Sequence, residues 1–184
     1  MLRTNVELWW ALFAGIVITA MYGTVVFFTR QIPAAGELFG HSIGILGFIL
    51  MLMTEILYSL RKRTRVARWG RMSDWLQFHI FTGLVGPYMV LLHTSWKFNG
   101  LAGAVTLLTV VIVLSGIIGR YIFTRIPRTL DGLEIEGVIP EAALRRARQI
   151  MALWHTIHIP IGMALFVSAF AHIGGAIYYA TLLK

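Results

Sequence analysis

An all-α integral membrane protein with five transmembrane helices is the fold class this sequence predicts, and three observations carry the expectation. The chain of 184 residues is 58% hydrophobic and only 13% charged, whereas ordinary soluble domains carry about a quarter charged residues. Its mean hydropathy is positive. Apolar runs of about 20 residues recur along it, which is the length a helix needs to cross the hydrocarbon core. Helices rather than irregular segments follow because a span in lipid must satisfy its backbone hydrogen bonds internally.

The chain reads as one membrane domain, 1–184. The first span covers about 8–29. Arg3 leads straight into it, the run is too long for a signal-peptide core, and it lacks a small-residue cleavage site, so it should stay as a span. The second covers about 38–60 and the third about 75–97. The fourth covers about 101–124 and the fifth about 151–181. Between the last two lies a loop with Ile126-Pro127, the acidic run Asp131 to Glu136, and Pro140. From Glu141 onward the residues read as a helix start, with acid near the N-terminus and proline at or before the first turn. That stretch should either lie at the membrane interface or extend the fifth helix inward. The loop is far too short to fold as a catalytic domain.

Charge sets the expected orientation. Of the 16 Lys and Arg residues, all but Arg30, Lys97 and Lys184 fall near the N-terminus, in the last turn of the fourth span (Arg120) or in the loops after the second and fourth spans. By the positive-inside rule this puts the N-terminus in the cytoplasm and the C-terminus outside. The expected location is the bacterial inner (cytoplasmic) membrane, with multiple passes. The net charge of +8 is thus a topology signal, and no nucleic-acid partner is expected. The chain has no cysteine, which excludes cysteine-ligated iron–sulfur clusters, thioether-attached haem, disulfides and thiolate zinc sites within it.

The most informative motif is a repeated histidine spacing. His79 and His93 lie fourteen residues apart in the third span, and His158 and His172 fourteen apart in the fifth. Fourteen helical residues rise about 21 Å and make four turns less roughly 40°, so each pair occupies roughly one face, with one imidazole towards each side of the membrane. The segments also echo each other as His79-Ile80-x-x-Gly83 and His158-Ile159-x-x-Gly162. Both spans are odd-numbered and run parallel, so His79 matches His158 at the inner level and His93 matches His172 at the outer. Paired imidazoles at two levels are expected to serve as axial ligands for two haems b. Zinc fits poorly, because a closed zinc site needs four ligands at one point. Ionisable groups in the bilayer are costly and usually functional, which sets four matched histidines apart from unrelated polar residues.

Other residues are weaker candidates. Gly83, Gly86 and Gly162 allow a macrocycle or a neighbouring helix to approach the backbone; Gly44, Gly47, Gly116 and Gly119 suit helix packing equally. Trp75, Trp96, Trp154 and Phe98 could wall a haem, and an interfacial aromatic belt explains them about as well. Arg68, Arg71 and Lys97 are placed to meet haem propionates. His155, one turn before His158, could bond a propionate or substitute as a ligand. His41 and Glu55, fourteen apart on the second span, could handle protons at a quinone pocket, and His41 is the better placed.

These residues carry a family resemblance over about 75–181. Trp75-Leu-Gln-Phe-His79-Ile-x-x-Gly83-x-x-Gly86, followed by His93, resembles the haem-binding helix of bacterial membrane cytochromes b. So does Trp154-His155-x-x-His158-x-Pro160, followed by His172. Ser115-Gly116-x-x-Gly119-Arg120-Tyr121 is similar to a run in proteins described only as having a cytochrome b-like membrane domain. The paired spacing also resembles cytochrome b of the quinol–cytochrome c reductases and the ferric reductase-like transmembrane domain. The former is longer and has a proline-rich quinol motif not found here; the latter usually continues into FAD and NAD(P)H domains, for which this sequence has no G-x-G-x-x-G loop. The resemblance implies an electron-transfer subunit rather than a complete enzyme. It would link a quinone pool or cytoplasmic donor to an extracytoplasmic carrier, with two haems b, a quinone as a candidate further ligand, and a cytochrome c or iron–sulfur protein as partner. Open alternatives are a stand-alone reductase of ferric iron or small oxidants, and a haem-free histidine relay or assembly subunit.

Overall fold

The computed structural model describes residues 5–63, 70–127, 134–135 and 137–182. Among them the chain is all-helical: α1 (Val6–Thr29), α2 (Leu38–Arg63), α3 (Met72–His93), α4 (Gly100–Phe123) and α5 (Glu141–Leu182). Each is long and apolar enough to cross a membrane. That accounts for the wide exposure of residues such as Trp9, Phe13, Leu107 and Val167, which in a bilayer face lipid. The protein is a multi-pass membrane protein. Arg3, Arg65, Arg68, Arg128, Lys184 and most of the acidic run (Asp131, Gly132, Leu133 and Glu136) lie outside the described residues.

The helices match the expected spans to within about three residues except at two ends. α3 stops at His93, short of the expected 97. Ser95 and Trp96 have φ of 51° and 63°, and a left-handed residue after a helix ends it. Ser95 Oγ donates to the Pro33 carbonyl at 2.6 Å, anchoring that turn. Lys97 therefore belongs to a connection. At the other discrepancy, α5 starts at Glu141 and runs for 42 residues. That is about 63 Å of helix, roughly twice the hydrocarbon thickness, so the segment before the fifth span is its continuation.

The helices pack as two compact units, α1 with α2 and α3, and α4 with α5. In the first unit α3 is the central element, with 33% of its span buried against 6% for α1. Ile43 of α2 joins Val85, Met89 and Leu92 of α3 in the core, and Ala11, Ala14, Ile18 and Tyr22 of α1 close over it. Thr19 Oγ1 and Tyr88 OH share a hydrogen bond between α1 and α3. In the second unit Ile126, only 1% exposed, packs with Leu144 and Met151 on the extension of α5. Arg145 pairs with Glu141 one turn earlier on the solvent side, at 2.8 Å.

Candidate functional site

In the first unit, both histidines of α3 are keyed to the backbone of α2. His93 Nδ1 lies 2.8 Å from the Gly40 carbonyl oxygen, and His79 Nδ1 lies 3.1 Å from that of Thr54. A carbonyl can only accept, so in both rings Nδ1 carries the proton and donates. A helical carbonyl already bonded to its own i+4 N–H has a second lone pair for this. Gly40 and Thr54 are themselves fourteen residues apart, and between them Gly47 meets Gly86. The contacts thus step by seven residues along both helices in opposite directions: Gly40, Gly47 and Thr54 against His93, Gly86 and His79. Seven residues is the period that keeps one seam of a helix facing its neighbour.

Small residues make the seam possible. A Cβ on Gly44 would lie 2.6 Å from His93 Cγ, so the imidazole occupies the place of that side chain. At the middle of the seam the approach is reciprocal: a Cβ on Gly47 would lie 2.8 Å from the Gly86 carbonyl oxygen, and one on Gly86 2.9 Å from that of Gly47. Around His79 the setting is polar and aromatic. Tyr58 lies across its ring at 4.8 Å between centroids. Thr54 Oγ1 is 2.7 Å from Thr82 Oγ1, and Thr82, 1% exposed, donates to the Phe78 carbonyl at 2.8 Å.

In the second unit, α4 presents one residue to two turns of α5. Trp154 Nε1–H donates to the Ser115 carbonyl at 2.8 Å, and His158 Nδ1 lies 3.0 Å from Ser115 Oγ. The two rings stack, with centroids 4.5 Å apart and an interplanar angle of 27°. The Trp154 indole sits where a Cβ of Gly119 would be, and a Cβ on Gly116 would meet His158 Cε1 at 3.8 Å. His172 is half-buried on the same helix.

The weaker candidates sort as follows. Gly86 is accounted for by its contact with α2, while Cβ atoms on Gly83 and Gly162 would meet only Thr54 at 3.5 Å and Ile112 at 3.8 Å. His41 is exposed, with its ring edge-on to His93 at 6.4 Å; Glu55 is exposed too. His155 lies against Trp154 at 4.8 Å. Arg71, at the N-cap of α3, and Lys97 are both exposed. Trp75 packs edge-on to Phe78, and Trp96 and Phe98 are exposed.

Reading the sequence missed Gly40, Thr54, Tyr58 and Thr82. Its signal was one residue out of place: the fourteen-residue echo on the second helix is carried by the carbonyls of Gly40 and Thr54, each just before His41 and Glu55. Ser115, in the Ser115-Gly116-x-x-Gly119 run, has no role legible in the sequence.

Imidazoles held in this way suit haem ligation. An Nδ1–H donated to an oxygen fixes the tautomer and leaves the lone pair on Nε2, the arrangement typical of metal-binding histidines. Among the described residues no group of three or more His, Asp or Glu side chains gathers to hold a bare ion. A search of protein families, curated proteins and solved structures finds no match to this chain.

Proposed function

We propose that this protein is a diheme b-type membrane cytochrome of the cytochrome b and ferric reductase-like kind, acting as the electron-transfer subunit of a redox complex. The observation that supports it most is the seam of α2 and α3, in which two carbonyls fourteen residues apart receive the Nδ1 protons of two histidines fourteen residues apart. Packing alone would ask only for small or apolar residues there, whereas this seam orients two nitrogen lone pairs.

In this reading His79 and His158 hold the inner haem iron, and His93 and His172 the outer. The haems supply one-electron chemistry. The chain's own residues orient the ligands, exclude water and set the electrostatics. Gly40 and Thr54 fix the tautomers of His93 and His79, Gly44 and Tyr58 bracket those rings, and Arg71 and Lys97 are assigned to propionates. Electrons pass between a quinone pool or cytoplasmic donor and an extracytoplasmic carrier, with a cytochrome c or iron–sulfur protein as partner. The protein sits in the bacterial inner membrane with its N-terminus in the cytoplasm. His41, exposed beside His93, is assigned to proton exchange with a quinone. Unchanged quinol-driven haem reduction in H41A would remove that assignment.

The decisive experiment is a pyridine-haemochrome assay with a reduced-minus-oxidised spectrum on protein purified in mild detergent. About two haems b per chain with low-spin bands are expected. None, in a folded preparation supplied with haem, would end the cytochrome reading in favour of a haem-free relay or assembly role.

A further inference from the structure

The Nδ1 contact of His158 differs in kind from those of His79 and His93. His79 and His93 meet backbone carbonyls, while His158 meets a side-chain hydroxyl, Ser115 Oγ. A backbone carbonyl is present whatever the residue, so no substitution deletes it. A serine hydroxyl depends on one residue, and as a neutral hydroxyl it can also turn to donate elsewhere.

The hydroxyl is not an incidental neighbour. Trp154 and His158 are one helical turn apart on α5 and converge on the same residue of α4: the indole N–H takes the Ser115 carbonyl and the imidazole takes its hydroxyl. The stacking of the two rings restrains the imidazole plane, and the indole is itself held in the notch at Gly119. Backbone and side chain of Ser115 thus act together on the ring plane of His158; with Nε2 taken up by iron, Nδ1 would carry the proton and the hydroxyl would be its acceptor.

From this juxtaposition of Ser115, Trp154 and His158 we infer that Ser115 is a positioning residue that tunes the electron-donor strength of the His158 imidazole, and through it the potential of one haem of the two. The inference rests on the cytochrome reading. An oxygen accepting Nδ1–H makes the ring a more basic ligand, which favours the oxidised, more positive iron. Removing the acceptor should therefore raise that haem's potential and leave the other unmoved.

The test is a spectroelectrochemical titration of the purified holoprotein, wild type against Ser115→Ala, Ser115→Thr and Ser115→Cys, with haem content and helical content measured on each. In S115A the reduced-to-oxidised ratio of one haem, read at a fixed potential, should rise by up to about tenfold, which is about 59 mV for a one-electron couple. S115T should restore it, and S115C, with its weaker acceptor, should fall between. If S115A does not fold, a smaller upward shift confined to one haem in S115C supports the inference equally. Loss of one haem in a folded S115A, with both retained in S115T, also supports a positioning role. Potentials that are unchanged, that fall, or that move equally, or a threonine that restores nothing, would overturn the inference while the two haems stand. A wild-type protein without haem would instead overturn the reading beneath it.

Discussion

Gly44 and Gly23 are both helical glycines in the first unit, yet they should respond oppositely to the same substitution. On Gly23 a Cβ would meet nothing within 4 Å, whereas on Gly44 it would strike the His93 ring. Gly23→Ala should gain helix stability of up to about 1 kcal/mol. Gly44→Ala forces the imidazole aside, and overpacking of this sort costs about 1–3 kcal/mol. Thermal unfolding in detergent should therefore show a raised midpoint for the first and a lowered one for the second. Equal shifts would mean that His93 is not seated against Gly44. The histidines themselves were legible from the sequence because their spacing is a property of residue type. Their acceptors were not, since a carbonyl oxygen carries no signature in the sequence.

Two helix contacts carry predictions of their own. The Thr54–Thr82 hydroxyl pair joins α2 to α3 beside His79. Thr82→Val keeps the shape and deletes the hydroxyl; hydrogen bonds between membrane helices average about 0.6 kcal/mol, so a small loss of thermal stability is expected, with no change in helical content. The larger element-scale test concerns the long α5. Its first turns are held beside the end of α4 by Ile126, three residues past that helix, which packs with Leu144 and Met151 and with Ile122 and Phe123 of α4. Replacing Ile126 with Ala should loosen that segment at a cost of about 2–5 kcal/mol and let its helix open locally, so that trypsin cuts faster at the already exposed Arg145, Arg146 and Arg148. Unaltered cleavage there would show that the extension holds its helix without this packing. From the sequence, an interfacial segment and an extended helix were equally open, because Glu141 and Pro140 mark a helix start in either case. Packing against Ile126 and Ile139 distinguishes them.

For the whole molecule, the absence of cysteine allows a clean test of topology. Gln31 and Arg146 are both exposed, and the basic loops put them on opposite sides of the membrane. In intact cells a membrane-impermeant thiol reagent should label Gln31→Cys and spare Arg146→Cys until the membrane is opened. The reverse pattern would invert the proposed orientation and with it the assignment of inner and outer levels. The five spans were legible because lipid imposes a composition and a length on any helix that crosses it. Helix ends were less so: α3 stops at His93 through a local left-handed turn at Ser95 and Trp96, residues that do not advertise that conformation.

Composition and spacing alone determined that the chain is helical, that it has five apolar spans, and that four histidines stand as two fourteen-residue pairs. Each is a property of residue identity at a position, and one dimension suffices to read it. Only the tertiary structure decided which nitrogen of His79 and His93 holds the proton, that α2 comes up against Gly86, and that Ser115 serves both Trp154 and His158. Those facts depend on where one helix places its backbone against another, and a carbonyl oxygen or a missing Cβ acquires meaning only when a neighbour arrives beside it.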